Sequence, residues 1–154
     1  MSFPILDTSF RYIKSFEYIA VKDILTFPNT NTSSITSSIL LQAGANWQVG
    51  YSREKKLKYS DKGRSSKPGT IFNHEMSGTW AGSSVDIDAE FLAMLKDKFV
   101  IKLKNTLDEV RILGTKETPL TFSYSHLSEI VEGIEGYSYK FTGKSFKQSL
   151  LYIP

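Results

Sequence analysis

The chain has 154 residues, 19 Lys and Arg against 16 Asp and Glu for a net charge of +3, no cysteine, and 13% aromatic residues. That length suits a single domain, residues 1–154, able to bury roughly two-thirds of its unfolded surface in a core of its own. The missing cysteine excludes disulfide frameworks and thiolate metal sites, and so small a net charge leaves its distribution more informative than its total.

The opening MSFPILDTSFRYIK lacks a basic stretch followed by a long apolar one, so it does not read as a secretory signal. No run approaches the roughly 18 apolar residues that span a bilayer, and no membrane partner is expected. Phe16 to Leu25 is rich in aromatic and β-branched residues and stops before Pro28, which predicts a strand. The polar run 29–38, NTNTSSITSS, is expected to be a loop that a neighbouring molecule orders.

From Trp47 to Tyr59 the alternation is imperfect, and a bulge near Gly50–Arg53 would reconcile its halves. SDKGRSSKPG, 60–69, reads as a charged, turn-rich tip, and Thr70 to Trp80 as the returning strand. Together these predict a long hairpin arm over about 47–80. Val85 to Asp97 is the clearest helix. Ser84 or Asp86 can cap it, Asp88 and Glu90 suit its positive N-terminal end, and Phe91, Leu92 and Leu95 form an apolar stripe.

The last third reads as short strands: 99–104, 109–113, 119–124, 137–142 and 149–153, with 126–136 as a loop or a single helical turn. The expected fold class is therefore α+β, mainly antiparallel β. It would be a β-sandwich or partly closed barrel with one flanking helix (about 85–97).

Chemistry-bearing motifs are scarce. His74-Glu75 would point to opposite faces of a strand, and His126 matches no metal spacing, so both histidines read as ordinary polar residues. Nucleophile-elbow, phosphate-loop and dinucleotide fingerprints are absent. No catalytic residue, metal or cofactor is assigned. Glu129, Glu132 and Glu135 would form a carboxylate row if their stretch were helical.

The most distinctive charged feature is the arm. Arg53, Lys55, Lys56, Lys58, Lys62, Arg64 and Lys67 stand against Glu54 and Asp61, with Tyr51 and Tyr59 interleaved. Three readings fit: an edge hairpin kept soluble by lysine, a nucleic-acid-binding ribbon, or a surface docking on acidic residues such as Glu129, Glu132 and Glu135 of another copy.

Residues 95–152, with a strand and turn, VRILGT, then PLTF, and finally GYSYKFTG, resemble small virion proteins encoded by prophages of Bacteroidetes-type bacteria. The resemblance covers a little over a third of the chain. It implies a tail or neck component, tail-tube-like in plan, assembling into rings or a tube with copies of itself and other virion proteins. It further implies residence in the virion after assembly in the bacterial cytoplasm, and it carries over no catalytic residue. The arm's positive charge departs from what a lumen passing DNA would show, which favours a neck, connector or terminator ring over the tube itself; DNA contact is not expected to be specific. The 29–38 loop and the 47–80 arm are the expected contacts between copies.

Overall fold

The computed structural model describes residues 13–28, 34–53, 56–131 and 133–154, with the backbone alone at 129–131. Its centre is β8 (Lys98–Asn105), which pairs on one side with β1 (Ile13–Ala20). On its other side lie β9 (Val110–Leu113) and then the start of β10 (Leu120–Val131). Between β9 and β10 the chain leaves β8 for a turn closed by the Thr115 N–H donating to the Thr118 carbonyl, 3.1 Å. Gly114 begins that turn at φ +79, where a Cβ would also press on the Leu120 side chain at 3.1 Å, so only glycine fits without strain.

That excursion splits the sheet in two. One half runs β5 (Gln48–Val49), β1, β8, β9, β12 (Leu150–Tyr152), β3 (Ser34–Ile35); β12 and β3 are parallel. The other half runs β10, β11 (Ile134–Ser145), β7 (Gly69–Ala81), β6 (Lys58–Ser66), all antiparallel. The strand order does not close on itself, and the expectation of a mainly antiparallel, sandwich-like α+β fold with one helix holds.

The two halves face each other through aromatic rings. Phe16 and Tyr18 of β1 lie 6.3 and 6.0 Å from Phe141 of β11, and Phe99 of β8 lies 5.6 Å from the same ring. α1 (Val85–Met94) closes the end of this core with Phe91, whose ring sits 5.1–6.1 Å from those of Trp80, Phe122, Tyr124, Tyr137 and Tyr139. The Tyr137 hydroxyl donates to Asp88 in the helix's first turn, and its pKa is pushed up to about 12, by burial first and then by that carboxylate. A second core lies on the opposite face of β8, where Val100, Ile19, Ile112 and Leu150 meet Ile24, Ile35 and Ile39. β8 is thus buried on both faces at Phe99–Ile101, which is why those three consecutive residues are apolar, while Lys98, Lys102 and Lys104 flank them on the face away from Phe99 and Ile101.

Several expectations are corrected. The strand expected over 16–25 is broken by a 3₁₀ turn at Val21–Asp23, after which β2 (Ile24–Thr26) pairs with β4 (Leu40–Leu41) in a separate small sheet. Of the expected 29–38 loop, 29–33 lie outside the described residues, while Ser34–Ile35 form β3 because Ile35 has the second core to enter. The arm is shorter than 47–80: Gln48–Val49 pairs with β1, and the hairpin itself is β6 and β7. Its tip is the Lys67-Pro68 connection, so most of the expected 60–69 tip is regular strand. The stretch 126–136 is neither loop nor helix but the end of the β10/β11 hairpin.

The helix is capped by Ser84, whose hydroxyl accepts the Ile87 N–H at 3.2 Å, and it ends at Met94 instead of 97. Its buried side is Ile87, Phe91 and Met94; Leu92 and Leu95 are exposed. Spacings of four and three track the 3.6-residue turn, whereas adjacent residues such as 91 and 92 diverge by about 100°. Because Phe91 fills the junction of helix and both half-sheets, Phe91→Ala should cost about 3–5 kcal/mol. Urea unfolding followed by far-UV circular dichroism measures it, and a cost below about 1 kcal/mol would contradict this packing.

Candidate interaction surface

β6 sorts its side chains by alternation. Lys58, Ser60, Lys62 and Arg64 take one side, and Tyr59 and Asp61 the other. The three cations are exposed, whereas the Asp61 carboxylate is only 2% exposed. The registers extend this outer side across the half-sheet. Lys58 lies opposite Ser77, Ser77 opposite Lys140 and Lys140 opposite Ser123. In the next row Ser60, Glu75, Thr142 and Thr121 align and lead to Lys98 of β8, whose Nζ donates to Thr121 Oγ1 at 3.0 Å. A third row joins Lys62, Asn73 and Lys144, and a fourth pairs Arg64 with Ile71.

Among the described residues this face carries six cations, Lys58, Lys62, Arg64, Lys98, Lys140 and Lys144, and one carboxylate, Glu75. The whole chain is +3, so a face at +5 leaves the remainder at −2. Charge is therefore segregated. Between the cations stand Ser60, Ser77, Asn73, Thr121, Ser123 and Thr142, all hydrogen-bonding side chains.

A buried polar cluster anchors β6 from behind. The His74 Nδ1–H donates to Asp61 Oδ1 at 2.6 Å, and His74 Nε2 lies 2.7 Å from Ser145 Oγ. Asp61 Oδ2 accepts the Ser149 N–H at 2.9 Å and the Tyr59 hydroxyl at 3.2 Å. Arg111 Nη1 in turn donates to the Ser149 carbonyl at 3.3 Å. Burial by itself would raise the Asp61 carboxyl. The hydrogen bonds from His74 and Ser149, together with the imidazole's charge, outweigh it and hold the group below the usual aspartate range.

The order Asp–Nδ1, Nε2–Ser is that of an acyl-transfer triad. Here, however, the Ser145 hydroxyl donates to the Lys147 carbonyl at 2.7 Å and accepts the Lys147 N–H at 3.3 Å, so it closes the turn after β11. The cluster joins β6, β7, the end of β11 and the approach to β12. His74 is accordingly not the ordinary polar residue expected: it is buried, while Glu75 beside it is exposed on the opposite face.

The other expected site residues scatter. Arg53 lines an open cleft of about 990 Å³ with Lys14, Lys58, Tyr59, Glu109 and Arg111. Lys56 is exposed beside the arm, and Lys67 is exposed at the hairpin tip. Lys55 and Glu132 lie outside the described residues. Glu129 belongs to β10 and Glu135 to β11, on opposite strands of a hairpin, so the expected helical carboxylate row does not form. Glu135 instead accepts from Ser83 and lies 3.6 Å from His126 Nε2. Lys98, Lys140 and Lys144 are the members of the face that the arm-centred expectation missed.

Among the described residues no group of three or more His, Asp or Glu is placed to hold a metal, and no helix is long and apolar enough to cross a membrane. No family model, curated protein or solved structure matches the chain.

Because Asp61 sits below its unfolded pKa, its contribution to stability is fully present above the ordinary aspartate value and is lost as pH falls through the depressed folded value. Asp61→Asn should therefore cost roughly 2–3 kcal/mol at pH 7, with a gap from the parent chain that narrows below about pH 4. Denaturant midpoints measured between pH 7 and pH 2 test this. A gap that stays constant with pH would show that the carboxylate's charge contributes nothing.

Proposed function

We propose that this chain is a structural subunit of a phage tail or neck that self-assembles into rings or a tube. The observation that carries this proposal is the outer edge of β6. It spans nine residues, ends the strand order, keeps an unbroken register with β7, and contains no proline; no described strand pairs with its outer side. Edges of monomeric proteins are ordinarily kept short, bulged, covered or charged, because open peptide groups recruit another chain; Lys58, Lys62 and Arg64 supply charge here, but β6 is neither short nor bulged, and no described strand covers it. Asp61 is partly exposed although its side chain is buried, so its exposure comes from backbone.

Exposed apolar side chains outside β6 support the same role. Val49 and Leu92 are 78% and 56% exposed, and Tyr51 and Leu95 are also exposed. An open strand edge and exposed apolar side chains elsewhere on one protomer suit a heterologous contact, which closes into rings or continues into a tube according to the rotation per subunit. The stretches VRILGT, PLTF and GYSYKFTG, on which the resemblance to virion proteins rests, fall on β9 and its turn, the start of β10, and β11.

Mass photometry over a concentration series, with negative-stain imaging, should reveal closed oligomers or tubes. Arg64→Pro and Ser65→Pro remove N–H groups that point to opposite sides of β6. The variant that loses the outward N–H should keep its fold and remain monomeric. A parent chain that stays monomeric at every concentration, alone and with portal- or tape-measure-type virion proteins, would overturn the proposal.

A further inference from the structure

We propose that the outer face of the β10-β11-β7-β6 half-sheet binds the phosphate backbone of double-stranded nucleic acid, without reading its bases. The site uses Lys58, Lys62, Arg64, Lys98, Lys140 and Lys144. It is separate from the β6 edge and the exposed apolar side chains assigned to assembly, and it stands without that assignment.

Geometry comes first. Strands in a sheet are about 4.8 Å apart and rise about 3.4 Å per residue. Lys58 and Lys140 lie opposite the two sides of Ser77, and Lys62 and Lys144 opposite the two sides of Asn73. These four lysines therefore mark a rectangle of roughly 10 by 14 Å in the backbone. Duplex grooves are roughly 6 and 12 Å wide, so flexible lysine side chains on that rectangle can reach phosphates on both strands. Lys98 and Arg64 extend the field along the face.

Composition decides among polyanions. Phosphate oxygens are held by Lys and Arg together with Ser, Thr and Asn side chains, the set that fills this face. Single strands are usually gripped by stacking bases on aromatic rings. This face offers none, because Tyr137, Tyr139 and Phe141 of β11 all turn inward to the core. An acidic protein would need buried apolar or aromatic anchors at the centre of its contact. The described face supplies Ile71 near the tip and Ala81, Leu127 and Ile134 at the far end, and none among the lysine rows at its centre. A regular duplex backbone is the occupant that matches charge, polarity and flatness together.

The experiment uses the full chain and a fluorescent 20-base-pair duplex of arbitrary sequence, followed by anisotropy from 25 to 200 mM salt. Binding should be micromolar at low salt, independent of sequence, and weaken with a log–log slope of about −4 to −5. Lys140→Gln with Lys144→Gln should weaken binding at least tenfold at 50 mM salt and make the slope shallower by about 2. Lys22→Gln with Lys104→Gln, the same charge change elsewhere, should stay within twofold of the parent chain. All four lysines are exposed, and near-UV circular dichroism checks that both variants keep the parent fold. Absence of duplex binding at 25 mM salt overturns the proposal, as does equal weakening by the two variants. Polyglutamate of matched charge binding as tightly as the duplex also overturns it, and would make the face a dock for acidic protein.

Discussion

A carboxylate buried behind an edge strand is an unusual expense of solvation, and much of this molecule's surface depends on it. Asp61 lies on the last strand of the half-sheet, where a side chain has a neighbour on one flank only. It is kept ionised by an imidazole at 2.6 Å, a peptide N–H at 2.9 Å and a phenol at 3.2 Å. A buried charge with incomplete partners would be strongly destabilising, so its partners must stay in place together. Through Ser145 and Ser149 that requirement reaches the end of β11 and the approach to β12. The edge strand is thereby tied to segments far from it in sequence, and the cations on its other side are held in fixed rows.

The aromatic core enforces the same division from inside. Tyr137, Tyr139 and Phe141 point toward Phe91 and β1, so their neighbours Lys140, Thr142 and Lys144 must point outward. Met76 and His74 do the same for β7, leaving Glu75, Asn73 and Ser77 outside. Apolar packing and charge segregation are thus two consequences of one period-two alternation. A shift of one residue in the β7/β11 register would bury lysines and expose rings, and this makes the arrangement of charges as well specified as the core.

Much of this was legible in the chain. The helix start at Ser84, the strands 99–104 and 109–113, and the alternation of YSYKFT are visible because they rest on capping chemistry and local periodicity. The stretch 126–136 was not, since glycines and glutamates that read as a loop are here held in a hairpin by pairing across strands. Lys140 and Lys144 alternate with aromatic residues in plain view. Joining them to Lys58 and Lys62 requires knowing that β7 lies between β11 and β6. His74, Asp61 and Ser145 are 13 and 71 residues apart, and no local pattern relates them.

The sequence by itself determined a cysteine-free, mostly β chain with one capped helix and a basic hairpin, because propensity, alternation and composition act over a few residues at a time. Only the tertiary structure decided which charges share a face, which carboxylate is buried, and which edge is left open. Those outcomes depend on strand order and register, set by how distant apolar faces fit together over β8. The basic arm is therefore one edge of a wider field: Asp61 is withdrawn from it, and Lys98, Lys140 and Lys144 are added by strands that pairing brings alongside.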